Sequence, residues 1–194
     1  GCVMTGGSAG AICWFTAGHS DSADPDTYYT AMMKDADESK DESSVLGETA
    51  KPWKYIRVPC LDILPGFVLP HADKVQSNGV LRMTDFNEMM LRHPGERGIT
   101  IDHYTALVVD GDGYRVVGLE GKGGSVLPDG GFSSEREGRP GVWIKDVVDG
   151  ELRTTLAPWE GKLDELLKKA TDIVEDEGCI ASMRDNPWET KPLD

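Results

Sequence analysis

The chain has 194 residues and a formal net charge of -14, enough length for one domain with a real core and the wrong sign of charge for a nucleic-acid or anionic-membrane partner. Cys2, Cys13, Cys60 and Cys179 are scattered with no Cys-x-x-Cys pair, a pattern of reduced thiols rather than of a disulfide framework or zinc site, so the expected setting is cytoplasmic. No apolar run approaches the ~20 residues that a membrane helix requires.

In chain order, Cys2-Val3-Met4 reads as a central strand on which the chain opens, without an initiator Met, and residues 9–15 read as a helix ending near Gly18. Between them, Gly6-Gly7-Ser8-Ala9-Gly10 satisfies the Gly-x-Ser-x-Gly pattern of a nucleophile elbow. Ser8 is then the candidate nucleophile. Side chains at Gly6 or Gly10 are expected to collide with neighbouring backbone at so sharp a turn. The Ala9 N–H, at a helix N-terminus, is placed to receive an oxyanion.

Residues 20–51 are acidic and polar with few large aliphatics. They read as a mobile insertion, either a solvated loop, the preferred reading, or an active-site lid or partner-binding arm. Residues 53–58 have strand composition, Pro65-Gly66 reads as a turn, and Phe67-Val68-Leu69 as a short strand delivering Pro70-His71 at its end. Catalytic groups gather at such strand ends, which makes His71 the candidate base. Residues 84–93 predict an amphipathic helix whose Phe86, Met89 and Met90 pack in the core, with His93 exposed at its end.

Residues 98–109 form two apolar runs broken by the polar pair Asp102-His103, which needs a reason in a buried region. Asp110-Gly111-Asp112-Gly113 predicts one hairpin and Asp149-Gly150 a second, so the later part of the chain is expected to be antiparallel. Residues 121–140 read as an irregular glycine-rich connection without the Lys-Ser or Lys-Thr of a P-loop. From Pro158, Leu163, Leu166, Leu167, Ala170, Ile173 and Val174 recur at helical spacing up to Gly178. The domain is thus expected over 1–178, with 179–194 a surface-draped tail.

Taken together, Gly7-Ser8-Ala9-Gly10-Ala11-Ile12-Cys13-Trp14-Phe15, Ser20-Asp21-Ser22, Leu64-Pro65-Gly66 with Pro70-His71, and Ile101-Asp102 with Thr105-Ala106-Leu107 resemble the peptidase E family of aspartyl dipeptidases and cyanophycinases. The motifs span about residues 1–120. The resemblance implies an α/β fold with a three-layer, mostly parallel sheet similar to class I glutamine amidotransferases. It implies a serine peptidase acting on peptides with an N-terminal aspartate, with Ser8 as nucleophile and His71 as base. No cofactor or metal is expected. Asp21 falls on a family acidic position, and Arg82 is a candidate partner for a substrate carboxylate, with a surface arginine as the plainer reading.

Two departures accompany the resemblance. Where the family carries a Glu or Asp that orients the histidine, this chain has His103, and an imidazole accepts a hydrogen bond only while neutral. Asp102 is the adjacent substitute, although successive strand residues face opposite ways. The upstream half of the family fold, with its second oxyanion donor, is not in this sequence, which is therefore expected to be the C-terminal part of the fold, completed by a homodimer or by a partner. The alternative is a catalytically impaired relative kept for binding. A glutamine-amidotransferase-like amidase is disfavoured because the elbow residue is Ser rather than Cys.

Overall fold

The computed structural model describes residues 2–20, 55–75 and 79–174. They contain the strands β1 (Phe15–Ser20), β2 (Ile56–Pro59), β3 (Leu64–Pro70), β4 (Gly98–Ile101), β5 (Thr105–Asp110), β6 (Gly113–Gly118), β7 (Val142–Val148), β8 (Glu151–Leu156) and β9 (Glu160–Lys162), and the helices α1 (Ala9–Ile12), α2 (Arg82–Arg92) and α3 (Leu163–Leu166). One sheet runs β2-β1-β3-β4-β7-β8 and a second, smaller one β5-β6-β9.

In the large sheet β1 and β4 flank β3 in parallel, while the β2, β7 and β8 pairings are antiparallel. The protein is therefore α/β with a mixed sheet, parallel at its centre and antiparallel at both sides; the family resemblance implies a mostly parallel sheet with antiparallel hairpins toward the C-terminus, of which β7–β8 is one, while the antiparallel β2 departs from it.

Alternation along β3 builds the two sides of the core. Phe67 and Leu69 point into a cluster with Phe86, Met89 and Met90 of α2, and Val68 points the other way, toward Ile12, Ile99, Val116 and Leu166. Val142 and Trp143 of β7 divide in the same manner. Phe15 and Ala17 of β1 break the period-2 rule by facing opposite clusters, and a register shift between them accounts for it. The apolar stripe of α2 is fully buried, as its spacing predicts.

Several sequence expectations are corrected. Residues 2–7 form no strand, and Val3 is 88% exposed. The expected helix over 9–15 stops at Ile12, because Phe15 opens β1 and pairs with Leu64 of β3, and pairing with a neighbouring segment overrides local helical pattern. Pro65-Gly66 lies inside β3 rather than in a turn. His93 is 3% exposed, packed edge-on to Phe67 near Glu96. The helix expected from Pro158 is replaced by β9, which pairs Gly161 with Tyr114, and by the single turn α3. Leu166 and Leu167 are still buried, but Ile173 and Val174 are about half exposed.

Both predicted hairpins form, with Gly111 and Asp149-Gly150 at positive φ in their turns. The acidic stretch from Asp21, most of the 53–58 segment's start, and the tail 179–194 lie outside the described residues. No helix among the described residues is long and apolar enough to cross a membrane.

Candidate active site

Ser8 immediately precedes α1 with φ 54° and ψ -122°, a backbone state that costs an ordinary residue energy and that gathers at functional turns. The surrounding glycines divide in their reasons. A Cβ on Gly6 would fall on the Gly10 carbonyl, so Gly6 is required, whereas Gly10 faces open space, which corrects the expectation that both are sterically forced. Ile12 seats α1 on the sheet, lying where a Cβ of Gly18 would be. Ser8 is exposed, and its hydroxyl makes no hydrogen bond among the described residues. The Ala9 N–H likewise has no acceptor among them, as the N–H of a first helical residue should.

His71 follows the C-terminal end of β3 at φ 54°. Its Nδ1 lies 2.8 Å from Nδ1 of His103, with the rings tilted at 46°. The structure therefore brings these two sequence candidates together. One proton must lie between the two nitrogens for the contact to be a hydrogen bond. Burial, with Lys74 and Arg136 adding in the same direction against Asp73, holds His103 below the usual histidine range, so His103 remains neutral and able to accept.

Asp102 turns away from this pair. Its carboxylate accepts the Ser125 N–H at 2.9 Å, the Gly141 N–H at 3.0 Å and the Ser125 hydroxyl at 2.7 Å. The Trp143 indole N–H in turn donates to the Ser125 hydroxyl at 2.7 Å. Burial pushes the Asp102 carboxyl up to about 6, against those hydrogen bonds and with Asp73 reinforcing the rise. The structure thus places Asp102 as the joint between β4, the 121–140 connection and β7. Asp102 and His103 follow the end of β4, and their side chains take different partners.

Arg82 is 1% exposed, which corrects the surface reading. It donates to the His19 carbonyl at 2.9 Å and its guanidinium lies over the Tyr55 ring. Asp21 lies outside the described residues. Burial and the neighbouring Cys13 push the Cys60 thiol up to about 11, so it offers no thiolate to compete as a nucleophile near neutral pH. No group of three or more metal-ligating side chains gathers among the described residues.

The model of Peptidase family S51 matches residues 1–117. The chain belongs to peptidase family S51. A protein of Trypanosoma brucei brucei named G2/mitotic-specific cyclin-1 is 34% identical to it over 177 residues, a match covering 87% of this chain and 48% of that protein. This S51 chain thus spans about half the length of the curated relative it matches.

Sequence reasoning missed the group behind the histidines. Asp73 accepts the His103 backbone N–H at 2.7 Å through Oδ1 and the Arg136 Nε–H at 2.7 Å through Oδ2. Asp73 stands two residues after His71, which is a usable signal. Arg136 lies in the glycine-rich connection outside the family match, and nothing in its local pattern marks it.

Proposed function

We propose that this chain carries the nucleophile and base of a serine peptidase that hydrolyses peptides with an N-terminal aspartate, on layering akin to class I glutamine amidotransferases. The observation that carries the reading is the strained Ser8 in a Gly-x-Ser-x-Gly turn, in a chain of a peptidase family. Ser8 Oγ attacks the peptide carbonyl carbon as His71 Nε2 takes its proton, and the Ala9 N–H receives the oxyanion. Breakdown returns the proton to the leaving amine, and water then releases the acyl group by the reverse sequence. For His71 Nε2 to be the base, its Nδ1 must carry the proton and donate to His103, the arrangement that a neutral His103 permits.

A preference for acidic substrates is supported by local charge. Lys122 Nζ and the Arg136 guanidinium lie 5.3 and 5.2 Å from the Tyr104 ring centre, and Lys74 is close enough to bias His103. In a chain of net charge -14, Lys74, Lys122 and Arg136 set against the one buried Asp73 leave an excess of positive charge beside the histidine pair, which favours an anionic ligand there.

The test is labelling of Ser8 by a fluorophosphonate in the full-length protein, where stoichiometric modification is expected and absence of labelling would end the hydrolase reading. The second reading, an impaired relative retained for binding, is favoured by the imidazole at the orienting position. A further expected outcome separates the partners of His71. His103→Glu should speed labelling, because a carboxylate stabilises the imidazolium better than a neutral ring, while Asp102→Asn should leave the rate of the folded protein unchanged. Rates measured side by side decide it, and slowing by Asp102→Asn alone would make Asp102 the orienting group.

A further inference from the structure

Three described residues other than aspartate or glycine adopt positive φ, namely Ser8, His71 and Arg136. The first two are the proposed nucleophile and base. Arg136, at φ 59°, comes from a connection more than sixty residues later in the chain. An extended arginine at such a backbone is held there by its contacts. Besides the bond to Asp73, Nη2 donates to the Gly123 carbonyl at 3.2 Å, and the guanidinium plane covers Tyr104.

Tyr104 then meets His103 edge-on, with ring centres 4.5 Å apart. His103 is thus gripped at its backbone by Asp73, at its ring edge by Tyr104 and at Nδ1 by His71. Asp73 is 1% exposed, and a carboxylate so buried needs a cation; Arg136 supplies it.

We propose that Asp73 and Arg136 are positioning residues, a charged brace that fixes His103 against His71 and makes the glycine-rich connection part of the active site. The proposal rests on the peptidase reading for its catalytic meaning but not for its geometry. The groups facing His103 are His71, Asp73, Lys74, Arg136 and the Tyr104 ring, with Lys122 also over that ring. Of the pair, Asp73 raises the proton affinity of His103 and Arg136 lowers it, so removal of either has a defined sign. A bond that served folding alone would weaken the fold without moving the titration of His103.

The experiment follows the histidine ring resonances of His71 and His103 by NMR through a pH titration of the full-length protein, together with the rate of fluorophosphonate labelling. Asp73→Asn should lower the His103 midpoint and Arg136→Gln should raise it, while Arg136→Lys restores it toward the wild-type value. Labelling should fall about 10- to 100-fold in Asp73→Asn and in Arg136→Gln, as expected for a displaced reacting group. The double variant should be no slower than the worse single one, because the two act as a unit. Should Asp73→Asn not fold, the Arg136→Gln and Arg136→Lys pair still decides. A folded Arg136→Gln protein with an unmoved His103 midpoint would overturn the brace, as would additive losses. Wild-type protein that resists the probe would defeat the peptidase reading, and the midpoint shifts would then judge the brace alone.

Discussion

His71→Gln should slow fluorophosphonate labelling of Ser8, and any peptide hydrolysis by the full-length protein, by about 10⁴-fold or more. Glutamine nearly preserves the size of the imidazole, and its amide can still meet Nδ1 of His103, but it cannot take a proton from a hydroxyl at neutral pH. The effect therefore falls on chemistry rather than on the fold of the β3 terminus. His93→Gln is the control. That ring is buried between Phe67 and Glu96, so its loss should lower stability while labelling of the folded fraction continues. Equal loss of labelling in two folded variants would remove His71 from the role of base.

Asp102→Ala should lower unfolding free energy by about 2–6 kcal/mol, since two buried backbone N–H groups lose their acceptor at about 1–3 kcal/mol each. That is a large share of the ~5–15 kcal/mol typical of a domain. Asp102→Asn keeps an acceptor in the same place and should cost much less, which distinguishes loss of a joint from loss of a charge. The pH dependence has a defined direction. Because the folded carboxyl titrates at about 6, above its ordinary value of 3.8, its contribution is complete below about pH 4 and is lost as pH rises through about 6. Chemical denaturation of wild type and Asp102→Asn across pH 4 to 7 measures this. The wild-type advantage should shrink over that interval, and an advantage that grew instead would mean that the carboxylate, not the acid, is the form stabilised by Ser125 and Gly141.

What the sequence revealed and what it hid follow from the range of the forces involved. The tight turn at Ser8 was legible because Gly6 and Ser8 obey a local steric rule, although the strand expected to enter it does not form, and the stripe of Phe86, Met89 and Met90 because a helix buries one face whatever lies opposite. Both hairpin turns were legible from Gly111 and from Asp149-Gly150 for the same reason. The segment after Pro158 misled, since Leu163, Leu166 and Leu167 satisfy a helical period while Gly161 is claimed by Tyr114 of a distant strand. Cys13 to Phe15 misled likewise, Phe15 being claimed by Leu64 across the sheet. At the site, the pairing of His71 with His103 was foreseen as an alignment, but the Asp73–Arg136 contact joins residues 63 apart in the chain, and no local pattern encodes it.

The sheet order also sets a timetable for assembly. Glu151 to Leu156 meets Val142 to Val148 across a two-residue turn, and Thr105 to Asp110 meets Gly113 to Gly118 with equal economy, pairings that close in microseconds. The parallel centre is different, because Gly18 must find Val68, and Val68 must find Ile99, each across a long stretch of chain whose closure entropy is paid before any bond forms. The two hairpins should thus be in place first and the strand that leads to His71 should be inserted late, so that the contact between His71 and His103 forms near the end of folding rather than early. Pulse-labelled hydrogen exchange would show protection at Ile144 and Val108, whose amides face their hairpin partners, ahead of Val68. A newly made chain would then pass through a stage in which most of its strands are paired while the two histidines are still apart.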